Sequence, residues 1–200
     1  MRKPLLEQTL GKTSSKTLLN ELNENGRTFS LVSLTDFKDI LKINKTTWNE
    51  DIYDKCGLFQ IFTGFMTDEP PIGLICYKNK SPVGYILGTP ASSNTNTEDY
   101  EITGEDVLYG YSICVLPECQ GKGVGSDLLS IFNAIAYEKG YRTVVGHTRS
   151  VDVVNFASGV ILKKIEDYYN KNEDAYYFQY DLTKNVGDSL KHLKKSISAV

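Results

Sequence analysis

A turn with three glycines in five positions is the part of the sequence whose residue types could do chemistry. The turn, residues 120–126, reads Gln-Gly-Lys-Gly-Val-Gly-Ser and lies between a β-rich run and an amphipathic stretch. Glycine lets the backbone pass close to a ligand, and the free N–H groups at the start of a helix carry the positive end of its dipole. This arrangement suits a phosphate or pyrophosphate, although a glycine-rich turn without a ligand has the same composition.

The spacing of the glycines argues against two common phosphate-binding motifs. A P-loop needs G-x-x-x-x-G-K-[ST], but Leu116 stands in place of its first glycine and Gly123 in place of its serine or threonine. A dinucleotide fingerprint would use Gly121, Gly123 and Ser126, but residues 116–120 separate these from the preceding strand. The P-loop is excluded, and a dinucleotide site is kept as a minor alternative.

Hydrophobic patterns predict the elements that position this turn. The β-branched and aromatic residues of 107–115 predict a buried strand that ends before Pro117. Apolar residues at helical spacing from Val124 to Ile135 predict a helix that ends near Gly140. The other patterns predict a strand at 28–34, a helix opened by Thr35-Asp36, a hairpin at 73–88 around a turn at 79–82, an acidic surface loop at 90–106, a strand at 142–148, a helix at 151–160, and strands at 163–169 and 175–182.

Composition limits the class of protein. The chain has 200 residues, 40% of them hydrophobic, which suffices for one core. With 22 basic against 25 acidic residues its net charge is -3, so we expect no nucleic-acid or membrane partner. No apolar run has the length of a membrane span, and no signal-like segment opens the sequence, which predicts a cytoplasmic protein. The 4 cysteines form no C-x-x-C pair, so we expect reduced thiols and no metal site.

The chain divides into three parts by pattern. We expect a polar extension at 1–26, one domain at 27–182 and an amphipathic tail at 183–200. The tail carries one helical stripe of apolar side chains: Val186, Leu190, Leu193 and Ile197. This stripe predicts a terminal helix that lies on the domain, with a homodimer or other partner contact as the alternative.

The residues around the turn resemble the acyl-CoA signature of the GNAT superfamily of N-acetyltransferases. The sequence reads Val115-x-Pro117 and then Gln120-x-x-Gly123-x-Gly125 at the start of the predicted helix, and the resemblance extends over residues 27–182. It implies an α+β fold with a mixed, mostly antiparallel sheet of about six to seven strands, flanked by helices. Two parallel strands of such a sheet are splayed apart at the cofactor site.

The resemblance also implies that acetyl-CoA is a co-substrate, with no metal. Backbone N–H groups of the turn would hold its pyrophosphate, and its pantetheine arm would lie between the strands at 107–115 and 142–148. An N–H group near Val115 would hold the thioester carbonyl. The implied cofactor-binding residues are Ile113, Cys114, Val115, Gln120, Gly121, Lys122, Gly123, Val124, Gly125, Ser126 and Asn155.

The implied reaction is direct attack of a primary amine on the thioester. An alkyl amine has a pKa of about 10, so a base must remove its proton. The candidates near the start of the central strand are Glu105, Asp106, Tyr109 and Tyr111. Many family members protonate the leaving thiolate with a tyrosine where this sequence has Ala157, so Tyr168 or Tyr169 is the substitute candidate.

Several acceptors stay open at this point. The pair Tyr168-Tyr169 resembles one that holds the acceptor peptide in N-terminal protein acetyltransferases. The acceptor could therefore be a protein N-terminus, a lysine or a small polyamine-like amine. Because Ala157 replaces a catalytic group, the alternative is a non-catalytic acyl-CoA-binding regulatory domain. We expect His147 to be a packed or hydrogen-bonded histidine at a strand end.

Overall fold

One seven-stranded sheet organises the chain. The computed structural model describes residues 26–48, 64, 71–93, 104–170 and 172–198, so nearly all of the predicted extension lies outside the described residues. The strands are β1 (Arg27–Leu31), β2 (Ile72–Lys78), β3 (Ser81–Pro90), β4 (Val107–Val115), β5 (Thr143–Thr148), β6 (Val160–Asn170) and β7 (Glu173–Asp181). The helices are α1 (Phe37–Trp48), α2 (Val124–Glu138), α3 (Val151–Phe156) and α4 (Leu182–Ser198).

The sheet is mixed and mostly antiparallel, as the sequence predicts. Its strand order is β1-β2-β3-β4-β5-β7-β6. The pair β4–β5 is parallel, because α2 carries the chain back along the sheet, and the other neighbours are antiparallel. The predicted fold class is therefore confirmed, including the single parallel pair among the described strands.

Three local predictions need correction. The chain enters α1 through a 3₁₀ turn capped by Ser33 instead of Thr35-Asp36, and the Ser33 N–H donates to Asp36 Oδ2 at 2.7 Å. Helix α3 ends at Phe156 and not at residue 160, since Ser158 has a φ of 53° and β6 begins at Val160. The hairpin turn between β2 and β3 contains only two residues, Asn79-Lys80, both with positive φ.

The two faces of the sheet are covered differently. Helices α2 and α4 pack on one face, called here the helix face, where Leu108, Val144 and Phe178 join their core. On the other face, α1 covers β2 and β3 through Ile40 and Ile43. Beyond α1, that same face carries a cluster of aromatic side chains, Tyr109, Tyr111, His147, Tyr168 and Tyr177, of which Tyr109 and Tyr177 are buried. We call this group the aromatic face.

Helix α4 belongs to the same core as the domain. Three side chains of its apolar stripe, Val186, Leu190 and Leu193, are buried in one cluster with the residues of α2. Through these side chains the terminal helix lies on the domain, and the homodimer contact stays a prediction. Among the described residues, no helix is both long and apolar enough for a membrane span.

Strands β4 and β5 separate halfway along their length. Their pairing runs from Val107–Thr143 to Gly110–Gly146, although β4 continues to Val115. At the same point β4 carries a β-bulge, since Gly88 pairs with Gly110 and the preceding Leu87 pairs with Ser112, which leaves Tyr111 unmatched. A bulge adds a residue and increases the local twist, which carries the end of β4 away from β5.

The separation point depends on a close approach of two glycines. A β-carbon at Gly146 would lie 2.9 Å from the carbonyl oxygen of Gly110, whereas one at Gly110 would lie 3.4 Å from its nearest neighbour, Val144 Cγ1. We expect Gly146→Ala to lower the free energy of unfolding by about 1–3 kcal/mol, because the sheet must shift to admit the methyl group. Urea unfolding of Gly146→Ala beside the matched control Gly110→Ala measures this, and equal stability of the two variants would contradict it.

Candidate active site

The gap between the separated strands forms a cavity of about 150 Å³. It is bounded by the bulged half of β4, the end of β5, and side chains of α2 and α3. Its lining residues include Gly110, Tyr111, Ser112, Ile113, Leu129, Phe132, Val144, His147, Thr148, Arg149, Phe156, Ala157, Phe178 and Tyr180. Because it is lined both from the helix face and from the aromatic face, the cavity connects the two sides of the sheet.

The glycine turn lies at the helix-face side of the gap. Gly121 and Gly123 have φ values of 69° and 83°, in the left-handed region that glycine adopts without strain. The first hydrogen bond of α2 runs from the Asp127 N–H to the Gly123 oxygen at 2.9 Å, so the preceding N–H groups lie before the helical ladder. These amides form the positive end of the α2 dipole, which suits a bound anion.

Side-chain contacts hold the turn to its surroundings. Gln120 Nε2 donates to the Val115 oxygen at 2.9 Å, and Lys122 Nζ donates to the Glu118 oxygen at 2.7 Å. In this structure the signature glutamine therefore ties the turn to the end of β4. From β1, Arg27 Nη1 donates to the Lys122 oxygen at 3.3 Å. Two cationic side chains, Arg27 and Lys122, thus accompany the turn.

A tyrosine–histidine pair lies on the aromatic face beside the gap. Tyr109 Oη and His147 Nδ1 are 3.1 Å apart. The imidazole is stacked on Tyr168, with ring centroids 4.7 Å apart and planes 2° apart, and on Tyr177 at 4.9 Å. Tyr109 also packs edge-on against Tyr111, which lines the cavity. The histidine is thereby fixed in orientation and has one nitrogen bonded to a phenol.

Two polar contacts complete the lining. Tyr180 Oη donates to Asn133 Oδ1 at 2.9 Å, and burial raises the pKa of Tyr180, so this hydroxyl keeps its proton at neutral pH. Arg149 Nη2 donates to Glu173 Oε2 at 3.2 Å, so the arginine that lines the cavity is paired with a carboxylate.

Cys76 on β2 lies outside the cavity, and burial raises the pKa of its thiol to about 12. The side chains of Cys76, Cys114 and Cys119 are buried.

The structure brings several predicted site residues together. Tyr111 and Ile113 line the cavity, and Tyr168 stacks on the histidine that lines it. Val115 and the predicted turn residues are not among the residues that line the cavity, but Gly125 adjoins Phe156 of α3, which does line it. A β-carbon at Gly125 would be 3.8 Å from each of the side chains of Val115 and Phe156.

Other predicted site residues lie elsewhere. Glu105 is exposed in the turn before β4, five positions before the strands separate, a distance of about 16 Å along a strand. The Cys114 side chain packs in the cluster under α1, because the bulge at Tyr111 reverses the alternation of β4. Asn155 is exposed on α3 and is not among the cavity residues, whereas Ala157 is. The side chain of Tyr169 lies outside the described part of the chain.

The hydrogen bond between Tyr109 and His147 is a functional contact that the sequence patterns do not predict. The expectation of a packed or hydrogen-bonded histidine at the end of a strand is confirmed, and the structure adds its partner. A signal was present: Tyr109 and His147 each stand next to the glycine at which the two strands separate, one before Gly110 and one after Gly146.

Comparisons with known proteins agree with this geometry. The model of the acetyltransferase (GNAT) family matches residues 35–157. Among solved structures, the ribosomal-protein-S18-alanine N-acetyltransferase from Escherichia coli is 15% identical, with a TM-score of 0.63, over 78% of this chain and 94% of that one. Ard1 from Thermoplasma volcanium is 19% identical, with a TM-score of 0.62, over 78% and 97%.

A third structure was determined with a ligand. The PaiA N-acetyltransferase from Thermoplasma acidophilum, in complex with coenzyme A, is 13% identical over 78% of this chain and 98% of that one, with a TM-score of 0.56. No curated protein matches the sequence significantly. At these identities the solved structures show a shared fold, while the family model covers more than half of the chain. The chain therefore belongs to the GNAT family of acetyltransferases.

Proposed function

We propose that the protein transfers the acetyl group of acetyl-CoA directly to a primary amine that approaches from the aromatic face. The observation that carries this proposal is the cavity between β4 and β5, which is lined on one side by Phe156, the neighbour of Gly125 in the glycine turn, and on the other by His147, the partner of Tyr109. The two substrates then meet inside the sheet, each from its own side.

The residues on the helix face fit acetyl-CoA, which supplies an activated thioester. Among the described strands, none pairs with the separated half of β4 on its β5 side, so its peptide groups can bond the amide-containing arm of the cofactor. The N–H groups of residues 121–126 precede the first hydrogen bond of α2 and can bind the pyrophosphate, with Arg27 and Lys122 nearby. Phe156 is half-exposed beside Gly125 and borders the same path.

The Tyr109–His147 pair can take the proton that the amine must lose. In our proposal the amine passes a proton to Tyr109 Oη while the phenolic hydrogen moves to His147 Nδ1 across their 3.1 Å contact. The histidine becomes an imidazolium that stacks with two tyrosine rings, whose centroids lie 4.7 and 4.9 Å away. Aromatic faces within about 6 Å attract a cation, which favours this protonated state.

The aromatic face also favours a particular acceptor. Before it loses its proton the acceptor is an ammonium ion, and the rings of Tyr111, Tyr168 and Tyr177 offer aromatic faces that attract a cation. The cation that lines the cavity, Arg149, is paired with Glu173 and so does not add an unbalanced positive charge. A protein N-terminus, a lysine side chain and a polyamine-like amine all carry the required ammonium group.

Ligand-dependent unfolding and turnover test the proposal in sequence. Acetyl-CoA and CoA are each expected to raise the free energy of unfolding by about 2.7 kcal/mol at 100 times the Kd. NADPH, which shares adenine and phosphates, serves as the control and should give no comparable stabilisation. A panel of N-terminal peptides, lysine peptides and polyamines is then assayed by CoA release.

The possible outcomes separate the alternatives. Stabilisation by acetyl-CoA with release of CoA in the presence of an amine supports the enzyme. Stabilisation without turnover for any amine of the panel would favour the non-catalytic acyl-CoA-binding domain. Stabilisation by NADPH alone would overturn the assignment of the glycine turn to acyl-CoA.

A further inference from the structure

A buried carboxylate follows the glycine turn directly. Asp127 lies in the first turn of α2 and is 3% exposed. Arg27 Nη1 of β1 donates to its Oδ2 at 2.9 Å. From α4, His192 Nε2 at 2.8 Å and Ser196 Oγ at 3.2 Å contact its Oδ1. Because a carboxylate accepts hydrogen bonds only, Nε2 of His192 carries a hydrogen in this contact.

The same arginine reaches the backbone of the glycine turn. Nη1 of Arg27 contacts both Asp127 Oδ2 and the Lys122 oxygen. It would also be the nearest atom, at 3.8 Å, to a β-carbon on Gly123. The position of Arg27 against the turn is therefore set by Asp127, and the position of Asp127 is set in part by α4.

Helix α4 is fixed at several points around the proposed cofactor path. Asn185 Nδ2 donates to the Ala157 oxygen at the end of α3 at 2.8 Å. Ser189 Oγ accepts from Asn133 Nδ2 of α2 at 3.2 Å. Helix α4 thus contacts both helices that border the gap, and the family match ends at residue 157, before α4 begins.

We propose that α4 positions the glycine turn for acetyl-CoA through a chain of contacts from His192 and Ser196 to Asp127, and from Asp127 to Arg27. All four are positioning residues, because they act through the backbone of the turn and not on the reacting atoms. This inference rests on the proposed binding of acetyl-CoA at the turn. A buried carboxylate beside a phosphate site must keep its donors, because a bare negative charge there costs free energy and repels the anion.

The test compares two substitutions at the same position of α4. His192→Ala removes the donor and is expected to raise the Kd and KM for acetyl-CoA about fivefold, as for loss of one contact in a hydrogen-bonded network, with kcat at saturation changed less than about twofold. His192→Gln offers an amide N–H in place of the imidazole N–H and should restore most of the affinity. The matched control is Lys191→Ala, which removes a neighbouring exposed side chain that forms an ion pair with Asp188.

A double-mutant cycle tests the chain of contacts itself. His192 and Arg27 both contact Asp127, so their effects on the Kd should be less than additive when His192→Ala is combined with Arg27→Met. Calorimetry with acetyl-CoA gives the Kd, and circular dichroism verifies the fold. Unchanged affinity in folded His192→Ala, additive effects, or loss equal in Lys191→Ala would overturn the inference. Failure of the wild-type protein to bind acetyl-CoA would instead overturn the proposed function.

Discussion

His147→Gln is expected to lower kcat for amine acetylation by about 100-fold, because general-base catalysis contributes about 10²–10⁴. Glutamine has a similar size and can still bond the Tyr109 hydroxyl, but it cannot take a proton at Nδ1. The KM for acetyl-CoA should change little, since the imidazole lies on the aromatic face and the glycine turn on the helix side. Steady-state kinetics with both substrates varied measures the two effects separately.

The companion variant is Tyr109→Phe, which removes only the hydroxyl. It should reduce kcat to a similar level, and the double variant should be no slower than the slower single variant, since both residues act in one proton transfer. The matched control is Tyr137→Phe. Tyr137 lies on α2 with Arg142 over its ring, and it is not among the residues that line the cavity. A kcat within about twofold of wild type for folded His147→Gln would remove the pair from the mechanism.

Gly125→Leu is expected to weaken acetyl-CoA binding by about 100-fold, or about 2.8 kcal/mol. A leucine at this position would extend from a β-carbon that lies between Val115 and Phe156 into the proposed path of the cofactor. The change should not unfold the protein, because residue 125 has no positive φ and leucine is a better helix former than glycine. Calorimetric titration with acetyl-CoA measures the loss.

Two comparisons sharpen this experiment. Gly187→Leu places the same side chain at a helical glycine of α4 where a β-carbon would have no atom within 4 Å, and it should leave affinity unchanged. Gly123 is a poorer target, because its φ of 83° would strain any other residue. A loss of affinity there could come from a distorted turn as well as from a blocked cofactor site. Wild-type affinity in folded Gly125→Leu would mean that the cofactor does not pass between the turn and α3.

The sequence predicts the elements around the turn well because their signals are local. Val107–Val115 and the helix from Val124 have the boundaries expected from β-branched composition, from Pro117 and from helical spacing. The predicted end of α3 is wrong because Ser158 adopts a left-handed conformation, and serine is not a residue type that indicates this conformation. The resemblance to a family supplied the splayed pair of strands, and the residues alone did not.

The candidate site was predicted less completely because it depends on register. The bulge at Tyr111 decides which side chains of β4 meet the cavity, and no single residue type marks it. It places Ile113 in the lining and Cys114 under α1, so a strict alternation assigns the second half of β4 to the wrong faces. Likewise, His192 carries no sequence signal of its contact with Asp127, which is 65 positions away.

In the proposed function the two substrates approach from opposite sides of the sheet. This arrangement affects the order of events in turnover. In the proposed arrangement, the path past the glycine turn and the path past the aromatic face share only the gap beyond Gly110 and Gly146. Neither substrate then has to leave before the other arrives, and the acetyl group needs no temporary carrier on the protein. The shape of the sheet therefore favours a ternary complex, in which the amine and the thioester are held together at the moment of transfer.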